Sequence, residues 1–386
     1  MSVAVQRPGI ILTILGCFGA GSLYGWSGYL SAVRTEFGVG NAAASMVFSL
    51  ALASFTTGVL LGPMLLARIP GRFRLPLLAG LASLSLGLSA INTGLTGFAL
   101  AYGLSFGFFS GALYNHTVSI AATSSRATLL VPVSVAVFGL GGAVFGPVQV
   151  SLTAAGWGMW SIAPALGCLA AVAGAAVILD RPAISDVSLF AEPLAMTRPN
   201  RTIAALWVIF AAGSGAGLIV LGFAAQFLPK AGAGFGLSGL AIFVAAIGNT
   251  LGRLSATLTA GRFGPANGIA GALTLSMSTL VCLLFTTAPL VVVGLLFLVA
   301  LAYGQLAATM PLLVKSLVTG PAFPSSFGWV FTGWGVAGLL GPWTAGWVLD
   351  ATGTFRLSLI ICIALAALGL WLVLRLAQKG TAQQKH

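Results

Sequence analysis

Acidic side chains are nearly missing from this sequence. Five Asp and Glu stand against 17 Lys and Arg in 386 residues, and charged residues of both signs make up only 6%, where a soluble domain carries about 25%. The deficit excludes a soluble enzyme, a disordered scaffold and a nucleic-acid-binding domain. With 58% of the chain apolar, a fold of this size has more apolar surface than it can hide from water. Cysteine is scarce as well. Cys17, Cys168, Cys282 and Cys362 stand apart inside apolar runs, so neither a disulfide framework nor a metal site is indicated. No Walker, HExxH or Ser-His-Asp arrangement stands out. Nothing points to catalysis or to a cofactor, and the chain reads as a non-enzyme.

What is present is long apolar runs. One transmembrane helix needs about 20 apolar residues, so twelve need roughly 240; the chain has about 224. A β-barrel would show short alternating segments instead. The apolar run after Arg7 reaches about Leu30, too long for the core of a cleaved signal peptide. Polar breaks predict spans over 9–30, 41–66, 74–92, 96–122, 129–153, 158–179, 203–228, 236–258, 266–287, 289–313, 325–348 and 356–376. The longest break holds Asp180, Asp186 and Glu192 and divides the helices six and six. The expected organisation is an N-terminal six-helix bundle over 1–179, a cytoplasmic linker over 180–202 and a C-terminal six-helix bundle over 203–386.

Loop charge sets the orientation. With both termini cytoplasmic, thirteen of the 17 basic residues lie inside and only Arg34, Lys230 and Arg356 outside, a strong positive-inside bias. The expected location is a cell membrane, multi-pass; the abundance of Ala and Gly and the short loops suit a bacterial inner membrane. The net charge of +12 is therefore a matter of topology, not of nucleic acid.

The halves repeat. Gly71-Arg72-Phe73 follows the second span and Gly261-Arg262-Phe263 the eighth; Gly146-Pro147 in the fifth matches Gly341-Pro342 in the eleventh. Six plus six helices with parallel repeats is a transporter architecture, with substrate bound near the midplane between the halves.

The run Phe327-Gly328-Trp329-Val330-Phe331-Thr332-Gly333-Trp334-Gly335, continuing through Gly341-Pro342 to Asp350-Ala351-Thr352-Gly353, resembles the helix-11 signature of the oxalate/formate antiporter-like and monocarboxylate branch of the major facilitator superfamily. A glycine-rich fourth helix ending in Tyr114 and the eighth helix with Gly252-Arg253-Leu254 are similar to that branch too. The resemblance implies an all-α membrane protein of twelve transmembrane helices in two pseudo-symmetric bundles. It implies a conformational loop motif at Arg68, Gly71, Arg72, Gly261 and Arg262. It also implies substrate contacts at Arg253 and Tyr114. The sequence departs from the pattern in places. Ala67 and Gly261 stand where the loop motif has an Asp, Gly28 and Asn249 where proton-coupled carriers have a Lys and an Asp, and Trp334 where oxalate exchangers have a Lys.

Arg253 is the leading site residue. An Arg at a helix centre costs about 2.5–3.5 kcal/mol and marks function by default. No predicted span contains an acid to pair with it, and a planar guanidinium matches a carboxylate. The alternative is snorkelling, since the predicted span ends five residues later, at 258. Asn249 shares its helical face and is open to two readings, orienting the guanidinium or holding a neighbouring helix. His116, the sole histidine within a predicted span, is a candidate for substrate contact and for proton coupling, or a neutral packing histidine. Tyr114, Asn115, Tyr24 and Trp334 complete the expected substrate-binding set. Trp26 and Tyr29 accompany Tyr24, with an interfacial belt an equal reading for Tyr29. Gln226 and Gln305 read as helix glue.

One buried cation and no buried anion suits one carboxylate. The expected partner is a small monocarboxylate of the lactate, pyruvate or formate class, moved by symport, antiport or facilitated diffusion. In symport or antiport a proton or a counter-transported anion accompanies it, and the protein is expected to work as a monomer in the lipid bilayer. An oxalate/formate-type exchanger and a drug or neutral-metabolite efflux transporter are the alternatives.

Overall fold

The computed structural model describes residues 7–124, 127–179, 200–228, 235–318 and 322–383, and these residues form helices joined by short turns, with no strand among them. Twelve long helices account for the fold: α1 (Gly9–Phe37), α2 (Asn41–Leu66), α3 (Gly71–Ile91), α4 (Leu95–Ala122), α5 (Leu130–Ala154), α6 (Gly158–Leu179), α7 (Arg201–Phe227), α8 (Gly236–Phe263), α9 (Pro265–Phe285), α10 (Pro289–Leu317), α11 (Ala322–Thr352) and α12 (Arg356–Gln378). All but α11 pass as membrane spans by length and hydropathy. α11, 31 residues long, covers more than the roughly 20 residues a bilayer core needs. Most of the expected 180–202 linker, with Asp180, Asp186 and Glu192, lies outside the described residues.

Local chemistry sets the breaks. Gly38 ends α1 in the left-handed conformation, which glycine adopts without a Cβ penalty. Gly264, at φ 81°, separates α8 from α9, and Pro265 opens α9, where its missing N–H costs nothing. Two helices are not uniform. α1 tightens to a 3-10 turn over Gly21–Gly25, and α4 contains a π-helical stretch over Ala99–Phe106. Large apolar side chains such as Ile178, Leu258 and Phe285 project outward, as suits hydrocarbon rather than water.

Packing follows a six-helix shift. α1 packs on α4, α5 and α6, α2 on α4, and α3 on α4 and α6; α7 packs on α10, α11 and α12, α8 on α10, and α9 on α10 and α12. The two sets meet chiefly through α2 against α11 and α5 against α8, which exchange under the same shift. The chain therefore forms two pseudo-symmetric six-helix bundles in a multi-pass membrane protein.

Glycine makes the closest of these contacts possible. A Cβ at Gly58 would strike the Phe108 carbonyl of α4, and one at Gly252 the Leu301 carbonyl of α10. Gly58 and Gly62 of α2 stand 190 positions before Gly248 and Gly252 of α8, the same offset that separates the two Gly-Arg-Phe loops. Small residues at such spacing let helix backbones touch.

Candidate functional site

Arg253 sits in α8 ten residues before its end at Phe263. At 1.5 Å per residue that is about 15 Å of helix, half of a roughly 30 Å hydrocarbon core. The sequence had placed the helix end near 258. The longer helix removes the snorkelling alternative, and Arg253 is buried at 8% exposure.

Its neighbours are neutral. Arg253 donates from Nε to Asn249 Oδ1 (3.3 Å) and from Nη2 to the Tyr24 hydroxyl (3.3 Å). Tyr114 stands close enough to interact with the guanidinium electrostatically. Tyr24 and Tyr303 share a hydroxyl–hydroxyl bond of 3.1 Å, and Trp334 Nε1 donates to Tyr303 at 2.7 Å. One connected chain of bonds thus joins α8, α1, α10 and α11, and two of its links, Arg253–Tyr24 and Tyr24–Tyr303, cross between the bundles.

The direction of these bonds is constrained. Arg and the Trp indole can only donate. Both phenol oxygens therefore accept from outside the pair, and only one of the two phenol hydrogens is used between them. The other has no acceptor within this chain of bonds. Asn249 Nδ2 is likewise buried and unpaired. The centre has more donors than acceptors.

The backbone around Arg253 is held closely. A Cβ at Gly304 of α10 would strike the Asn249 carbonyl, and one at Gly139 of α5 would come within 2.7 Å of Thr250 Oγ1 and 3.0 Å of Asn249 Nδ2. The turn bearing Asn249 and Arg253 is gripped from its own bundle and from the other.

The remaining expected residues separate. Tyr24, Tyr114, Asn249 and Trp334 gather with Arg253. Asn115 instead donates to the Val59 carbonyl and accepts from Ser119 Oγ, a tie between α4 and α2. His116 is buried with Nε2 unpaired, and the charged group acting on it is Arg74 of α3. Tyr29 is fully buried, donates to the Met159 carbonyl and packs with Trp26, Phe98 and Tyr102, so the belt reading does not hold. Gln305 ties α10 to Thr259 and Gly268, helix glue as expected. Gln226 accepts from Ser27 and joins α7 to α1. Gly28 has no room for a side chain, since a Cβ there would strike the Gly146 carbonyl; a lysine at this place is sterically excluded.

In the loop motif, Arg72 stacks over Phe73 (4.6 Å) and Arg262 over Phe263 (5.4 Å), the same contact in both repeats. Gly71 opens α3, Gly261 lies in the last turn of α8, and Arg68 is exposed between α2 and α3.

Sequence reasoning missed Tyr303. Its signal was rarity, because the chain has five tyrosines and three of them surround Arg253.

The bundles close at the end where α1 passes into α2. Asp350 of α11 accepts from Asn41 and Ala42 of α2, Ser27 of α1 pairs with Gln226 and the Ala225 amide of α7, and the Trp343 amide of α11 donates to Ser49 of α2. Gly335, Gly338 and Gly346 lie against Thr56, Leu52 and Ser45. These three glycines are thus part of the contact face of α11 with the other bundle, while Gly333 and Gly341 lie against Trp207 and Gly215 of α7 in its own.

No family model matches the sequence, and no curated protein matches it. Among solved structures the chain is similar to the nucleoside transporter NupG in a point-mutant form, with a TM-score of 0.74 and 13% identity over 95% of this chain and 99% of that one. A likeness at this identity speaks for the fold alone, a twelve-helix arrangement in two bundles.

Proposed function

We propose that the chain is a transporter that carries a small monocarboxylate across the membrane by alternating access, with Arg253 binding the carboxylate. The observation that carries this reading is a buried guanidinium whose hydrogen-bond partners are an amide and a phenol, not a carboxylate. An uncompensated buried charge is strongly unfavourable, and an anionic substrate supplies the missing counter-charge. The spare phenol hydrogen and the unpaired Asn249 amide add donors for its oxygens.

One cation favours one carboxylate, so lactate, pyruvate or formate fits better than oxalate, whose second charge has no partner here. An oxalate/formate-type exchanger is the nearest alternative, and efflux of a drug or neutral metabolite a further one. NupG is by name a nucleoside transporter; a neutral nucleoside would leave the guanidinium charge unmatched.

Both termini are placed in the cytoplasm on the loop charges, with bundles over 1–179 and 203–386 that rock about Arg253. The α1–α2 end is then the outer one, and this state is closed to the outside. The protein functions as a monomer. Coupling is by anion exchange, by a proton carried with the substrate itself, or absent; His116, the other candidate proton carrier, stands outside the bonded group around Arg253.

Thermal stabilisation of the purified protein tests the reading, because a ligand that binds only the folded state raises its stability by mass action. Wild type and Arg253→Gln are compared against lactate, pyruvate, formate, oxalate and a nucleoside. Stabilisation by monocarboxylates, lost in the variant, is expected. Oxalate acting at lower concentration than every monocarboxylate favours the exchanger. A response to the nucleoside alone overturns the anion reading.

A further inference from the structure

We propose, resting on the assignment of Arg253 to a carboxylate, that the preferred acid carries an aromatic ring: a benzoate, arylacetate or arylpyruvate rather than a short aliphatic acid. The tyrosines beside the guanidinium sit in a lattice of rings drawn from both bundles. Phe138 of α5 meets Tyr24 edge-on at 4.9 Å between centroids. Phe55 of α2 lies 5.3 Å from Phe138 and 5.5 Å from Tyr114. Across the divide, Phe55 meets Trp334 of α11 at 5.6 Å, and Trp334 stacks on Phe331 at 5.4 Å and 11°.

The Phe55–Trp334 contact joins the two bundles beside the Arg253 network, to which Trp334 itself belongs through Tyr303. Any substrate body seated between the bundles next to the bound carboxylate separates these two rings. A planar aromatic body restores on both of its sides the kind of contact that it interrupts, since rings favour offset and edge-to-face neighbours. A methyl group or water on the same spot restores none. The spare phenol hydrogen and Asn249 Nδ2 serve the carboxylate, and the ring lattice serves the remainder of the molecule.

Ring pairing amounts to about a tenfold gain in affinity for one to two such contacts. Binding is measured by calorimetry on the full chain in detergent for benzoate, phenylpyruvate, cyclohexanecarboxylate, lactate and formate, each also against Arg253→Gln to remove unspecific partition of the acid. Benzoate and phenylpyruvate are expected to bind about tenfold tighter than cyclohexanecarboxylate, which has similar bulk without a π face, and tighter still than lactate. Phe55→Leu is expected to bring benzoate down to the level of cyclohexanecarboxylate. Equal binding of benzoate and cyclohexanecarboxylate, or tighter binding of lactate, overturns the ring preference, and Arg253-dependence of those acids then leaves the carboxylate reading standing. If no acid binds, both fall. Should Phe55→Leu not fold, the wild-type comparison of the two six-membered-ring acids decides alone.

Discussion

Asp350, two residues before the end of α11, accepts three hydrogen bonds at the start of α2: from the Asn41 amide (3.0 Å), the Asn41 side chain (2.7 Å) and the Ala42 amide (2.8 Å). A carboxylate at a helix N-terminus satisfies amides that have no intrahelical partner and faces the positive end of the dipole. The two residues belong to different bundles, so the contact holds the α1–α2 end shut. Gly40 leaves the space, since a Cβ there would come within 2.6 Å of Asp350 Oδ2.

Asp350→Asn is expected to weaken this closure by about 1 kcal/mol, the scale of a capping or dipole contact. That is about a fivefold shift toward a state open at this end. Labelling of a cysteine placed at Ser27 by a membrane-impermeant maleimide checks it. An unchanged labelling rate removes Asp350 from gating.

Arg253→Gln is expected to lower substrate affinity by about 1.5–3 kcal/mol, the range for hydrogen bonds to a charged group. Arg253→Lys keeps the charge but loses the planar fork and falls between wild type and Gln. Binding isotherms on the three proteins check the order. Equal affinity throughout makes Arg253 structural.

Tyr24→Phe removes the acceptor that occupies Arg253 Nη2 and breaks a bond between the bundles. The empty protein loses more than the loaded one. Anion affinity is expected to rise about fivefold, equivalent to one hydrogen bond of about 1 kcal/mol, while net transport slows. Calorimetry together with uptake into liposomes checks the pair of effects; weaker binding instead places the Tyr24 hydroxyl on the substrate.

Gly304→Ala sets a methyl group against the Asn249 carbonyl and displaces the turn that carries Arg253. Overpacking of this kind costs about 1–3 kcal/mol. Gly167→Ala, with nothing within 4 Å, is the control. Melting temperatures are expected to fall for the first and hold for the second, and equal melting would mean that α10 can move away from α8 freely.

His116 is outside the bonded group around Arg253, so His116→Gln is expected to preserve the pH profile of transport. A flattened profile in proteoliposomes would make it the proton carrier.

Much of the fold was legible because hydropathy along a chain reports which segments leave water, and twelve such segments with a repeat at 190 positions constrain the arrangement. Arg253 was legible because a charge in an apolar run is costly wherever the helix ends. Its depth was not, since Leu254 to Phe263 mixes apolar with small polar residues and hydropathy alone does not say that the helix continues. Tyr303 was hidden for another reason. A phenol is amphipathic, and only the tertiary contacts with Tyr24 and Trp334 reveal that its hydroxyl is used. Asn115 and His116 adjoin Tyr114 in sequence, yet successive helical residues point about 100° apart, and the tertiary ties of Asn115 go to α2 and not to Arg253. Glycine similarly carries no hydropathic mark that separates a seam residue such as Gly252 from an idle one such as Gly167.

The unneutralised guanidinium has an electrical consequence. In a protein that opens to one side at a time, the voltage across the membrane drops over whichever side is closed, so a charge at the centre crosses the whole field when the protein switches. An elementary charge moved through 100 mV corresponds to about 2.3 kcal/mol. Empty, the centre carries the single positive charge of Arg253; with the proposed monoanion bound it would carry none. On the proposed reading, membrane voltage acts on the return of the empty protein and leaves the loaded step nearly untouched, which makes the resting potential of the cell, and not the anion, the determinant of which side the unoccupied site faces.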